Sequence, residues 1–204
     1  MGGASSTFAA FVEYSDRSLW EDAVGVLSQA TWDNYIIPPG GLFFGSNGID
    51  GVDGEMLFTN PGTGQAPVIF DNNWDGGAGS IGLGTGNVIA SQQGVDVSWT
   101  GAVNGLGFDL RGYGAGIATS SFDIVLGAGG ELFTTTVNNP TGGFWGIVDT
   151  TGTISSVSVN VATGGSVTVM DTFTLARVSV PAPGGLVLVL GLAGLVLTRR
   201  VKRK

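Results

Sequence analysis

Apolar and polar residues alternate with a period of two through much of the second half of this chain. Val95-Asp-Val-Ser-Trp99, Val157-Ser-Val-Asn-Val161 and Val167-Thr-Val-Met-Asp-Thr-Phe-Thr-Leu175 carry the alternation most clearly. Such a pattern belongs to antiparallel strands with one face on a core and the other in water. Phe108–Leu110, Phe122–Leu126, Leu132–Val137 and Phe144–Val148 are further strand candidates. Between them lie the turn clusters Gly127-Ala-Gly-Gly130, Asn138-Asn-Pro-Thr-Gly-Gly143 and Thr163-Gly-Gly165. Many short strands at this spacing predict an all-β protein, an antiparallel β-sandwich or jelly roll.

Two segments break the β pattern. Near the start, Ser15-Asp-Arg-Ser-Leu-Trp-Glu-Asp-Ala-Val-Gly25 reads as one short helix. Ser18 with Glu21 forms a capping box, Gly25 stops the helix, and Leu19, Ala23, Trp20 and Val24 supply an apolar face. At the far end, Gly184 to Thr198 carries no charge and is rich in Leu, Val, Ala and Gly. This is a transmembrane-like helix of about 22 Å, shorter than a typical hydrocarbon core. Val180, Pro181, Ala182, Pro183 and Gly184 precede it as a stiff breaker. Arg199, Arg200, Lys202, Arg203 and Lys204 follow it as a basic stop that holds the cytoplasmic side. Residues 1–179 therefore form one domain and residues 180–204 a separate C-terminal device.

The Pro motif, apolar helix and Arg cluster together resemble the PEP-CTERM sorting signal of exported bacterial proteins. The resemblance implies transient membrane insertion, processing near the Pro motif by an exosortase-like enzyme, and a final place on the cell surface or in the extracellular matrix. Ala182 stands where that motif usually has Glu. The body is also similar to the sandwich domain that often precedes this tail. Val103-Asn-Gly-Leu-Gly-Phe-Asp-Leu-Arg-Gly-Tyr113, Phe144-Trp-Gly-Ile147 and Val167–Ala176 carry that likeness. Of the paired Asp that relatives place before the closing Phe, only Asp171 remains, preceded by Met170. Export implies a leader, and Met1–Phe11 has neither a basic n-region nor a long apolar core, so a leader upstream of Met1 is expected.

Charge narrows the chemistry. All 16 acidic residues lie in the first 180 positions, with only Arg17, Arg111 and Arg177 to offset them, a formal −13; the five cations of the tail bring the total to −8. Phosphate backbones would repel such a body, which excludes nucleic acid as a partner. There is no Cys and no His, and the first Lys is Lys202. Disulfides, thiolate catalysis, imidazole bases and Schiff-base chemistry in the body are therefore ruled out.

What remains is carboxylate, amide, hydroxyl and aromatic chemistry. Asp71-Asn-Asn-Trp-Asp-Gly76 fits the opening of a calcium loop, with Asp71, Asn73 and Asp75 as oxygen ligands; Gly82 occupies the position of the closing Glu, so an ion would need a carboxylate from elsewhere, and the plainer reading is a polar Asx-turn between two strands. Trp74, Tyr113 and Trp145 stand beside Gly-rich turns as candidate stacking platforms for sugar rings, the alternative being core anchors. Asp109 and Arg111 flank Leu110 on one strand face, as a salt bridge or a saccharide clamp. The leading expectation is a non-enzymatic, exopolysaccharide-associated or glycan-binding surface protein. The alternatives are a carbohydrate-active enzyme with an Asp/Glu pair and a membrane-anchored adhesin.

Overall fold

The computed structural model describes residues 11–32, 36, 42–43, 48–50, 56–61, 67–71, 86–114, 116–127, 130–165 and 167–177. Two antiparallel sheets face each other, as the alternation predicts. The larger contains β1 (Phe11–Tyr14), β2 (Gly25–Ala30), β3 (Leu42–Phe43), β6 (Val68–Asp71), β7 (Asn87–Ser91), β9 (Gly105–Tyr113), β12 (Gly143–Asp149) and β14 (Val167–Arg177). Its order is β1-β12-β9-β14-β7-β6-β3, with β2 also on β14. The smaller runs β11-β10-β13-β8-β5-β4, from β11 (Glu131–Asn138), β10 (Thr119–Leu126), β13 (Ile154–Thr163), β8 (Val95–Val103), β5 (Met56–Thr59) and β4 (Ile49–Asp50). The tail at 180–204 lies outside the described residues, and among those no helix is long and apolar enough to cross a membrane.

The core forms where the apolar halves of the two sheets meet. Phe108 and Leu110 of β9, Trp145 and Ile147 of β12, and Met170, Phe173 and Leu175 of β14 face Phe122 and Ile124 of β10, Val157 and Val159 of β13, and Val95 and Val97 of β8. Phe173 is the hub: its ring stacks on Phe108 at 5.4 Å and meets the Phe58 ring edge-on at 5.4 Å. Aromatic pairs in these arrangements gain beyond their buried area.

A bulge decides which side of β14 faces inward. Asp171 is the partner of Asp109, yet the next pair is Thr174 with Gly107, so Thr172 and Phe173 together oppose Phe108. Thr172 is the one non-glycine residue with positive φ among those described, at 47°. That conformation is uncommon for a β-branched residue, and the Thr172 N–H donates to Asp171 Oδ1 at 2.6 Å. The extra residue resets the alternation. Val169 lies on the outer face, whereas Met170, Phe173 and Leu175 all enter the core.

The helix, α1 (Arg17–Ala23), covers the outer face of the larger sheet. Its cap is Asp16, whose carboxylate accepts from Leu19 N at 3.0 Å, and not Ser18. Moving the start upstream by two residues turns the buried face to Trp20 and leaves Leu19 62% exposed. Trp20 packs with Phe144, Val148 and Ala176, partly covered by Val24. The strand residues below it are small: a Cβ on Gly107 or Gly146 would lie 2.7 or 2.8 Å from the Phe144 ring. Two glycines thus make the seat for one indole and one phenyl.

Candidate functional site

Two surfaces collect the polar side chains of the body. The first is the outer face of β9, where Asp109, Arg111 and Tyr113 follow one another at i, i+2 and i+4, each partly buried. Asp109 and Arg111 do share a face, as expected, but the ion pair of Asp109 is with Arg17 of α1. Arg17 Nη2 donates to Asp109 Oδ2 at 2.9 Å and to the Thr172 carbonyl at 3.2 Å. Its guanidinium also lies 4.6 Å from the Phe144 ring centre. Glu21, one helical turn on, approaches Arg17 Nη1 at 3.5 Å.

This cluster sits where β14 changes partner, from β7 at Thr168–Met170 to β2 at Phe173–Arg177. Asp171 is buried directly across from Asp109, and like charges in that relation destabilise a sheet. Arg17 offsets the repulsion on one side, and the bulge amide ties down Asp171 on the other. Burial raises the pKa of Asp109 against the lowering effects of Arg17, with Glu21 adding a smaller push upward. Burial lowers that of Arg111, partly offset by the Tyr113 phenol. Two carboxylates with one pKa raised are the elements of acid–base chemistry. Here each is committed to a structural partner, and the arrangement locks helix, bulge and sheet together.

The second surface is the outward face of the smaller sheet. The polar half of each alternating strand lies here: Thr134 and Thr136 on β11, Ser121 and Asp123 on β10, Ser156, Ser158 and Asn160 on β13, and Asp96 and Ser98 on β8. Pairing aligns them in rows. Asp123 stands between Thr134 and Asn160, and Ser158 pairs with Asp96. Ser121 Oγ and Thr136 Oγ1 share a hydrogen bond of 2.9 Å, Thr134 Oγ1 donates to Asp123 Oδ1 at 3.3 Å, and Asn160 Nδ2 donates to Ser158 Oγ at 3.3 Å. A hydroxyl has one hydrogen and two lone pairs, so these bonds leave acceptors and donors over for solvent or a ligand. Val125 and Leu132 add an apolar corner. Among the described residues of these four strands, no cation and no aromatic ring lies on this face.

The residues singled out from the sequence fall in different places. Trp145 is not a platform: it is 2% exposed, packs on Phe108 at 5.4 Å and Phe133 at 6.0 Å, and donates its indole N–H to Glu13 Oε2 at 3.1 Å. Its Cα partner is Phe108, an inward residue, so the pleat turns both rings into the core. Tyr113 packs part of its ring against Val88, Ala90 and Val169. Asp71 ends β6 opposite Asn87 and is exposed, while the Asn87 amide donates to the Trp32 carbonyl at 2.7 Å. Asn73, Trp74 and Asp75 lie outside the described residues, as do Val180–Gly184 and the basic stop. No group of three or more carboxylates able to hold a metal ion occurs among the described residues. Arg17 and the hydroxyl face were not foreseen. The signal for the face was the polar half of the same alternation that located the core.

No family model matches the chain, and no curated protein does. The distant likenesses among solved structures include two carbohydrate-binding modules. A xylan-binding domain from carbohydrate-binding module family 22 aligns with a TM-score of 0.40 and 12% identity, over 71% of this chain and 99% of that one. The C-terminal family 22 carbohydrate binding module of Clostridium thermocellum Xyn10B aligns with a TM-score of 0.39 and 10% identity, over 71% and 100%.

Proposed function

We propose that the protein is an exported, non-enzymatic, glycan-associated surface or matrix protein whose body meets a hydroxyl-rich polymer on the outward face of the smaller sheet. The observation that carries this reading is the lattice of Ser, Thr, Asn and Asp side chains on that face, with no cation among its described residues. Each hydrogen bond to a sugar replaces one to water and nets only about 0.5–1.5 kcal/mol. Affinity per site is therefore weak, and a repeating polymer gains by engaging several rows at once. A neutral glycan suits a body of formal charge −13; an acidic one would need a bridging cation. Calcium at Asp71, Asn73 and Asp75 is part of the same proposal: free Ca²⁺ should raise the unfolding midpoint, and Asp71→Ala should remove the response. The tail at 180–204 supplies delivery in this reading, inserting through 184–198 and meeting an exosortase-like enzyme at the Pro motif.

The test is retention on a panel of neutral and acidic glycans, with calcium and with chelator, alongside assay of reducing-sugar release. The proposal expects chelator-resistant binding to at least one neutral glycan and no hydrolysis. The Asp109 and Asp171 pair gives the enzyme alternative its specific form. Sugar release that Asp109→Asn abolishes, with the fold intact, would replace binding by catalysis. Retention of the uncleaved chain in the membrane would favour the anchored adhesin.

A further inference from the structure

The smaller sheet ends on one side at β11, and among the described residues no strand pairs with its outer edge, which only the following turn meets, bridging Asn138 to Gly142. The edge is long and regular: eight consecutive residues, Glu131–Asn138, pair with β10 without a register shift. Edge strands are ordinarily protected by Lys, Pro, a bulge or brevity. β11 has none of these, and its sequence Glu-Leu-Phe-Thr-Thr-Thr-Val-Asn carries one charge, at the first position. Leu132 is 60% exposed, and Thr134 and Thr136 are exposed as well.

We propose that this edge binds the same edge of a second copy, joining two smaller sheets into one continuous antiparallel sheet. The sequence of the strand fits itself. With a two-fold axis at Thr135, Phe133 faces Val137 and Thr134 faces Thr136. Inward residues then meet inward residues and outward meet outward, as a two-fold sheet requires. No like charges oppose one another, because Glu131 faces Asn139. Thr–Thr and aromatic–β-branched pairs are favourable across strands. The hydroxyl rows of both copies then form one surface, although the pairing stands on the edge alone and does not depend on glycan binding. Repulsion between two acidic bodies opposes association, so added salt strengthens it.

The absence of cysteine gives a direct test. In the full chain held in detergent micelles, Thr135→Cys places two thiols directly opposite, about 4.5–5.5 Å apart at Cα and within disulfide reach. Leu132→Cys places them about six residues apart along the seam, roughly 20 Å, beyond reach. Mild oxidation should cross-link T135C at least tenfold faster than L132C. Sedimentation of the cysteine-free chain should show a dimer that tightens with salt. Thr134→Lys with Thr136→Lys, both at exposed positions, should weaken it at least tenfold without altering the circular dichroism. Equal cross-linking at both positions would overturn the proposal, as would a monomer at every concentration or a dimer indifferent to the lysines. An edge that accepts a strand only from another protein would appear as such a monomer.

Discussion

Replacing Arg17 with Ala should destabilise the protein by about 2–4 kcal/mol, although Arg17 is a helix residue with part of its surface in water. The magnitude follows from what it touches. Its side chain is 23% exposed and that of Asp109 29%, so the pair is better shielded than an ordinary surface ion pair. The bond to Asp109 at 2.9 Å is charge-assisted, a class worth about 1.5–3 kcal/mol. The guanidinium over Phe144 at 4.6 Å adds roughly 0.5–1 kcal/mol. Loss of both also leaves Asp109 opposite Asp171 without its Arg17 bond, and removes the donor to the Thr172 carbonyl. The contact with Glu21, at 3.5 Å and with that carboxylate 43% exposed, contributes little. Urea unfolding at neutral pH should show a lower midpoint with an unchanged slope. Arg17→Lys should recover only part of the loss, because an ammonium lacks the planar fork that reaches two acceptors and stacks on a ring. In a double-mutant cycle with Asp109→Asn the two changes should couple by at least about 1 kcal/mol. A loss below about 0.5 kcal/mol, the range of ordinary surface substitutions, would refute the assignment of Arg17 as the clamp between helix, bulge and sheet.

Other expectations follow from the same contacts. Burial raises the folded-state pKa of Asp109 above the ordinary aspartate value of 3.8; the native state therefore binds its proton more readily than the unfolded chain, and its contribution to stability falls as pH rises through the window above that value. Wild-type stability relative to Asp109→Asn should decline across that window, and a relative rise would contradict the burial argument. Trp145→Ala should cost about 3–5 kcal/mol as a core deletion, leaving glycan affinity unchanged in whatever fraction stays folded. Loss of binding without loss of stability would return Trp145 to the role of platform. Deleting residues 181–204 should move the thermal midpoint by only a few degrees, since the last described strand ends at Arg177, whose guanidinium bonds the Ala102 carbonyl at 2.7 Å.

β8, β10, β11 and β13 were legible because each buries one face and leaves the other more open, whereas β12 and β14 are largely buried on both. β8, β13 and β14 fall where alternation was read, and β9, β10, β11 and β12 fall on the further strand candidates. Strands earlier in the chain were not singled out, and β7 shows why: all five residues of Asn87–Ser91 are buried, so the two faces carry no contrast to read. The alternation from Val167 to Leu175, broken at Met170 and Asp171, was misleading in a different way. It suggests one face for Val169 and Phe173, whereas the bulge at Asp171–Thr172 sends them to opposite faces. The break at Met170 and Asp171 is the trace that the extra residue leaves in the pattern. Trp145 followed the common rule for Trp in a sandwich, that the ring is a core anchor, and its neighbour Phe144 took the outer side under α1. The Arg17 ion pair joins residues 92 positions apart, and no spacing rule predicts such a contact.

Mapping backbone amide shifts while a neutral oligosaccharide is titrated in locates the glycan surface proposed on the outward face of the smaller sheet. The account predicts movements centred on Asp123, Thr134, Ser158 and Asn160, with Asp123→Ala and Asn160→Ala together weakening binding and leaving the unfolding midpoint near that of the parent. Shifts centred on Asp109, Arg111 and Tyr113, or binding indifferent to the double substitution, would contradict it.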